Sequence, residues 1–183
     1  MDGISRLFIA INFPDEIKKS IAEVRAKLKE SALRGRFTFD ENLHLTLVFL
    51  GDCDFKQTND VKSVLDDAIF PNLTLTLDNA GYFKRDGGNT WWIGLKENKP
   101  LCDLQADLTE RLKLKGFVLE NRKYTPHVTI GREVKMPAGF VKPEVPPASF
   151  SVSSIELMKS ERIAGKLVYT PIYSMSTVVV SSD

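Results

Sequence analysis

The two histidines of this 183-residue chain stand in the same short pattern. His44-Leu45-Thr46-Leu47 and His127-Val128-Thr129-Ile130 both read histidine, apolar residue, threonine, apolar residue. Side chains two residues apart on a β-strand point to the same face, so each tetrad places an imidazole beside a hydroxyl and turns its apolar side chains the other way. The pattern therefore predicts two strands, each with His and Thr on one face and with the apolar face buried in the core. It suggests one site built from two similar halves.

The order of the predicted elements repeats as well. The first half predicts a strand at residues 6–13, a helix opening at Pro14-Asp15, and a strand at residues 43–50 with the first tetrad. The second half predicts a hairpin with its turn at residues 85–89, a helix from Pro100 ended by Gly116, and a strand at residues 127–131 with the second tetrad. Strands grouped in hairpins with helices between them predict an α+β fold with largely antiparallel sheets. We expect residues 1–183 to form one domain of two pseudo-symmetric lobes, with the tetrads facing each other across a central cleft.

Other segments carry simpler expectations. Residues 59–69 predict a helix, Gly81 a bend within a strand, and the proline-rich stretch 136–147 a loop. The chain then predicts two long strands around a turn at Ala164-Gly165, namely residues 150–159 and 167–180.

Composition limits the classes of function. The formal net charge of +1 argues against a dedicated high-affinity nucleic-acid binder, although it allows an enzyme that handles one nucleotide or an RNA end. Cys53 and Cys102 have no CxxC spacing, which argues against a zinc knuckle or a redox motif. No stretch approaches the roughly 20 apolar residues of a membrane helix, and Met1 to Ile11 lacks a signal-peptide pattern. We therefore expect a cytoplasmic protein without a membrane partner.

Paired imidazoles suit general acid–base catalysis. The pKa of histidine lies near 6.5, so one ring can be neutral while another nearby is protonated around neutral pH. Hydroxyls from Thr46 and Thr129 would add donors for an oxyanion whose charge grows in the transition state, and phosphoryl oxygens fit best. Arg132 follows the second tetrad, and its fork of donors matches phosphate. At this point the residues leave open which histidine is the acid and which is the base.

Metal and nucleophile chemistry fit the pattern less well. Each tetrad supplies one good metal ligand and no adjacent carboxylate, and an H-E-x-x-H motif is absent. There is no G-x-S-x-G elbow, P-loop or G-x-G-x-x-G. We therefore predict neither a metal nor a cofactor.

The flanks of the tetrads extend the pattern into a family resemblance. Residues 6–11 (RLFIAI), 41–51 (ENLHLTLVFLG) and 124–132 (YTPHVTIGR) resemble the two-histidine (2H) phosphoesterase superfamily. Within it, the chain is most similar to the bacterial RNA 2′,3′-cyclic phosphodiesterases, historically called 2′-5′ RNA ligases. The resemblance covers nearly the full length, and it rests on the paired motifs with their flanks.

The resemblance implies a bilobal fold and metal-independent hydrolysis of a 2′,3′-cyclic phosphate to the 2′-phosphate. It implies that His44 is the proton donor to the departing O3′ and that His127 is the proton acceptor from water. Thr46 and Thr129 would hold the non-bridging oxygens, with Arg132 lending charge. The assignment of acid and base depends on the resemblance alone.

Several alternatives remain open on the sequence. The chain could be an RNA-end binding or 2′-5′ RNA ligation factor, or a phosphodiesterase for 2′,5′-linked or small cyclic nucleotide substrates. The expected partner is an RNA end or a nucleotide with a 2′,3′-cyclic phosphate, and we expect a monomer. Phe83, Trp91, Trp92 and Tyr124 are aromatic candidates for stacking on a base, although Trp91 and Trp92 should face opposite ways.

Overall fold

The computed structural model describes residues 3–176, which form three α-helices, nine β-strands and a short 3-10 helix, Asp40–Asn42. The helices are α1 (Asp15–Ser31), α2 (Phe55–Asp67) and α3 (Lys99–Leu114). The strands are β1 (Ser5–Asn12), β2 (Arg34–Phe37), β3 (His44–Cys53), β4 (Thr74–Phe83), β5 (Asn89–Leu95), β6 (His127–Lys135), β7 (Ser149–Ser151), β8 (Ser154–Ile163) and β9 (Lys166–Ser176). No helix in the described range is both long and apolar enough to cross a membrane.

Two antiparallel sheets divide the strands. One has the order β3-β1-β8-β9, and the other has the order β2-β6-β5-β4-β7. The α+β class with antiparallel sheets is confirmed, and the two tetrads begin strands of different sheets, β3 and β6. The chain crosses between the sheets more than once, because β2 precedes β3 yet pairs with β6, and β8 and β9 return beside β1.

The tetrads alternate as predicted. Their apolar members are at most 2% exposed and belong to the main core: Leu45, Leu47, Val128 and Ile130. The histidines and threonines are only half-buried. Each strand therefore anchors the face that carries His and Thr through its apolar face, at about 1.5–3 kcal/mol for each large aliphatic side chain that is fully buried.

Two helix starts have local causes. α2 begins several residues before the expected Asn59, because the Asp54 carboxylate accepts from the Gln57 backbone N–H at 2.7 Å while the Gln57 amide oxygen accepts from the Asp54 backbone N–H at 3.0 Å. This is a capping box, which satisfies two N–H groups at the start of a helix. α3 begins as predicted, after Asn98 caps the Leu101 N–H at 2.9 Å.

The expected strand over residues 150–159 is wrong in one respect, because the segment forms two strands in different sheets. β7 pairs with β4 in the second sheet, whereas β8 pairs with β1 in the first. Phe150 of β7 is buried and packs edge-on against Phe13. The buried residues of β7 and β8 therefore read as one continuous apolar stretch in the sequence, although the chain changes sheets between them. The turn at Ala164-Gly165 is confirmed, with φ of 49° and 80°. Residues 177–180 of the expected last strand lie outside the described residues.

β4 continues through Gly81, where the sequence predicts a bend, and its irregularity lies just before this residue, in the register shift against β5 between Leu77 and Ala80. A Cβ placed at Gly81 would lie 2.4 Å from the indole ring of Trp92 on the neighbouring strand. The glycine therefore provides room for a ring behind the second tetrad, and does not provide a turn. Residues 136–147, by contrast, form the predicted loop with no helix or strand.

Candidate active site

A cavity of about 600 Å³ lies where the two tetrad strands face each other. Its lining includes all five of the residues that the sequence singles out: His44, Thr46, His127, Thr129 and Arg132. They come from β3 of one sheet and β6 of the other. The structure therefore brings the two patterns together in one site, as their repetition predicts.

Hydrogen bonds fix the His44 ring on both sides. Its Nδ1–H donates to the backbone carbonyl of Asn42 at 2.7 Å, and Thr46 Oγ lies 2.9 Å from Nε2. Because a carbonyl can only accept, the proton of the neutral ring is on Nδ1, and Nε2 accepts from the threonine hydroxyl. The rings of Phe8 and Tyr169 pack against the imidazole with centroids 4.9 and 5.1 Å away.

His127 repeats this arrangement with one difference. Its Nδ1–H donates to the carbonyl of Thr125 at 2.7 Å, and the Phe83 ring packs edge-on at 5.2 Å. Within residues 3–176, however, Nε2 of His127 has no hydrogen-bond partner. This nitrogen therefore presents a free lone pair to the cavity, which is what a proton acceptor requires.

Burial lowers the pKa of both histidines below its ordinary value. For His44, desolvation is the largest cause, and the positive charges of Arg132 and His127 lower the pKa further, while the bond to the Asn42 carbonyl opposes them. For His127, desolvation is again the largest cause, with Arg122 and Arg132 acting in the same direction. Both imidazoles are therefore neutral near pH 7 in the unliganded site, and an anion bound between them would favour protonation.

Arg132 is exposed and forms no ion pair within the described part of the chain. Its charge nevertheless acts on both histidines, because it lowers the pKa of each. The guanidinium at the cavity wall is therefore free to bind an anionic ligand with paired N–H donors.

Asn42 is a site residue that sequence reasoning missed. It is 5% exposed, and its side-chain amide donates to the Leu167 carbonyl of β9 at 2.9 Å, while its own carbonyl holds His44. One residue therefore connects the β8–β9 hairpin to the histidine ring. Its position two residues before His44 was the available signal, but nothing in the pattern states a role for it.

We predict that Asn42→Ala lowers kcat by about tenfold to a hundredfold with little change in KM, because a ring misplaced by about 1 Å can cost that much. Asn121→Ala, on the exposed loop before the second tetrad, is the matched control and should keep full activity. Steady-state kinetics on both variants, with melting temperatures, measure the effect. A rise in KM with kcat unchanged would show that Asn42 contacts substrate and does not position His44.

The aromatic candidates have different fates. Trp91 is only 2% exposed and lies in the core, and the Tyr124 hydroxyl donates to the Thr46 carbonyl at 3.0 Å, which is a link between the sheets. Phe83 and Trp92 pack around His127. The sequence missed Phe49, which is 47% exposed in the cavity with the Arg6 guanidinium 4.9 Å from its ring centroid.

A β-bulge explains Phe49. The β1–β3 register shifts between Ile9 and Ala10, so that Thr46 and Val48 are paired consecutively and the alternation changes phase. Beyond the bulge, Phe49 is opposite Phe8 on the cavity side. Simple alternation from Thr46 would have placed Val48 there instead.

The described range offers no evident metal-binding cluster. No group of three or more His, Cys, Asp or Glu side chains gathers there in a way that could hold a metal ion. Cys53 is buried and Cys102 half-buried, and both are free thiols.

Comparison with known proteins places the chain among phosphoesterases. The family model of the 2′-5′ RNA ligase superfamily matches residues 13–164. The RNA 2′,3′-cyclic phosphodiesterase of Thermotoga maritima is 31% identical over 175 residues, which span 92% of this chain and 93% of that protein. The protein of the same name from Escherichia coli is 32% identical over 177 residues, spanning 94% and 96%.

A solved structure agrees with the fold. The crystal structure of E. coli LigT complexed with 3′-AMP superposes with a TM-score of 0.85 at 31% identity, covering 96% of this chain and 99% of that one. An alignment of that extent includes residues of both sheets.

Proposed function

The chain belongs to the 2′-5′ RNA ligase superfamily, and we propose that it hydrolyses RNA or nucleoside 2′,3′-cyclic phosphates to the 2′-phosphate. The observation that carries the proposal is the pair of imidazoles in one cavity, each held at Nδ1 by a backbone carbonyl, with Nε2 of His127 unpartnered in the described residues and Nε2 of His44 bonded to the Thr46 hydroxyl. The names of the relatives from T. maritima and E. coli support this choice of substrate.

The two histidines take opposite roles in this reaction. Nε2 of His127 accepts a proton from water, whose oxygen attacks phosphorus. The P–O3′ bond breaks opposite the new bond, and O3′ takes the proton of Nε2 of His44, which leaves the phosphate on O2′. This direction follows the family resemblance; in the free site His127 Nε2 has no partner in the described residues and can accept a proton at once, whereas His44 Nε2 accepts from the Thr46 hydroxyl and must first be protonated.

The bound phosphate prepares His44 for its role. His44 must be protonated to act as an acid, although burial keeps it neutral in the free protein. A phosphate anion beside Nε2 raises the pKa of the ring, so that substrate binding and protonation support each other. Once Nε2 of His44 is protonated it no longer accepts from Thr46, so the hydroxyls of Thr46 and Thr129 and the Arg132 guanidinium donate to the non-bridging oxygens, where charge increases in the transition state.

The nucleoside occupies the remainder of the cavity. The exposed Phe49 offers a face on which a base stacks, and Phe8 and Tyr169 form the wall beside His44. We further propose a single domain of two lobes, each of which supplies one tetrad, acting as a monomer in the cytoplasm without a metal ion.

The test is hydrolysis of nucleoside 2′,3′-cyclic phosphates by the purified protein in the presence of EDTA. We expect turnover unchanged by the chelator, and we expect 2′,5′-linked dinucleotides and 3′,5′-cyclic nucleotides to be much poorer substrates. Loss of activity with EDTA that returns with a divalent ion would contradict the metal-independent mechanism. Tight RNA binding without any hydrolysis would favour an RNA-end binding factor instead.

A further inference from the structure

Two neighbouring strands beside the cavity place cations opposite each other. Strand β2 is the edge of its sheet, and its pairing with β6 sets Arg36 opposite Arg132 and Arg34 opposite Lys135. Like charges at directly opposed positions of a sheet are destabilising. The Glu133 carboxylate relieves only part of this repulsion, through its ion pair with Arg36 at 2.6 Å.

The other three cations are free of ion pairs within residues 3–176. Arg34 donates one hydrogen bond, to the Gly87 carbonyl at 2.9 Å, and Lys135 donates none. All four side chains of this group, which we call the cationic strip (Arg34, Arg36, Arg132 and Lys135), are exposed. In a chain with a net charge of only +1, such clustering indicates a local anionic partner.

The cationic strip connects the catalytic cavity to a second one. Thr38 after β2 and Arg132 on β6 line the catalytic cavity, whereas Leu33 before β2 and Lys135 on β6 line a cavity of about 700 Å³. We call the second cavity the outer groove. Both strands therefore lead from one cavity to the other, and the cations lie along the way.

The outer groove combines aromatic rings with positive charge. Tyr82 is 41% exposed with its ring centroid 4.9 Å from that of Trp91, whose indole N–H is buried without a partner in the described residues. Arg85 and Lys142 add charge to the lining, against the single carboxylate of Asp86. Aromatic faces interleaved with cations are the usual means of binding single-stranded nucleic acid.

We propose that the cationic strip and the outer groove bind the RNA chain that leads away from the 3′-terminal nucleotide in the active site. Arg34, Arg36 and Lys135 contact backbone phosphates, and a base stacks on Tyr82. This assignment rests on the proposed function, since it takes the RNA 3′ end to lie beside Arg132. RNA is favoured over an acidic protein because the cations are continuous with a nucleotide-sized site and end at an exposed aromatic ring.

The test compares two substrates with one double variant, Arg34→Gln with Lys135→Gln. We expect kcat/KM to fall by about tenfold for a short RNA that ends in a 2′,3′-cyclic phosphate, and to stay unchanged for a mononucleoside 2′,3′-cyclic phosphate. The affinity for a short RNA that ends in the product 2′-phosphate should fall in parallel. The slope of the logarithm of the RNA binding constant against the logarithm of the salt concentration should become smaller in magnitude by about 0.7 for each lost phosphate contact.

A matched control removes the same charge elsewhere. Lys19→Gln with Lys96→Gln changes two exposed lysines that lie outside the cationic strip and form no ion pair with a described residue, and RNA binding should stay as in the parent protein. Equal losses in the control, equal losses on both substrates, or polyglutamate binding as tight as RNA binding would overturn the proposal. A parent protein that hydrolyses neither substrate would contradict the proposed function, while the RNA affinities would still decide the role of the cationic strip.

Protein stability separates a binding role from a structural one. The Lys135 side chain makes no hydrogen bond within the described residues, so Lys135→Gln alone should keep or raise the melting temperature by relieving the repulsion from Arg34. A lower melting temperature together with weaker RNA binding would show that Lys135 supports the fold, and would overturn its assignment as a phosphate contact.

Discussion

Either His44→Ala or His127→Ala is expected to lower kcat/KM for a 2′,3′-cyclic phosphate by about 10²–10⁴-fold. In the proposed mechanism each imidazole transfers one proton in the same step, and a positioned acid or base typically contributes that much. The double variant should be little slower than either single variant, because the two groups act as a unit. Steady-state kinetics on a nucleoside 2′,3′-cyclic phosphate measure all three.

Thr125→Ala is the matched control for His127. The Thr125 backbone carbonyl holds the ring, so removal of the side chain leaves that bond intact and should leave the rate unchanged. Activity within a factor of a few of the parent in both histidine variants would contradict the mechanism.

The pH profile gives the same pair a second readout. Catalysis needs one protonated and one neutral imidazole, and burial lowers the pKa of both in the free protein. The bell-shaped pH dependence of kcat/KM should therefore have its maximum below the ordinary histidine pKa of about 6.5. The value of kcat/KM should fall as the pH rises above that maximum. Because the bound phosphate raises the pKa of His44, the profile of kcat should lie at higher pH.

Arg132→Gln is expected to lower kcat by about 10²–10³-fold, the usual cost of removing a donor to developing negative charge. The guanidinium has no ion pair within the described residues and lies at the cavity wall beside both tetrads. Arg132→Lys should recover only part of the loss, because an ammonium keeps the charge but lacks the paired donors.

Arg122→Gln is the control for Arg132. Arg122 also lowers the pKa of His127, and it lines a neighbouring cavity that shares His127 and Thr129 with the cavity between the tetrads, but it is paired with Glu120 at 2.7 Å. Its loss should move the pH profile slightly to higher pH and leave the maximal rate unchanged. Equal losses of rate in the two variants would show that a positive charge near His127 is sufficient and that Arg132 makes no special contact.

The sequence predicted which face of each tetrad strand carries His and Thr, because strand alternation is a local property. His44 and Thr46, and then His127 and Thr129, share a face for the same reason that their apolar neighbours are buried. Because the pattern is repeated, we predicted that the two His–Thr pairs lie in one site, and all four residues line the same cavity.

Long-range pairing decided what the sequence did not predict. The bulge that turns Phe49 into the cavity depends on the register with β1, and the position of Asn42 depends on a carbonyl of β9, more than a hundred residues away in the chain. The division of residues 149–163 between two sheets is also invisible in a continuous apolar pattern. Only the pairing of β2 with β6 brings Arg34 and Arg36 opposite Lys135 and Arg132, and that pairing cannot be read from the sequence.

The identity of the product tests the central claim most directly. Phosphorus NMR of a nucleoside 2′,3′-cyclic phosphate after turnover, with EDTA present, distinguishes the two possible monoesters. Protonation of O3′ by His44, with water activated by His127, predicts the 2′-phosphate alone. A 3′-phosphate, or a mixture of the two, would contradict the placement of acid and base on either side of the phosphate.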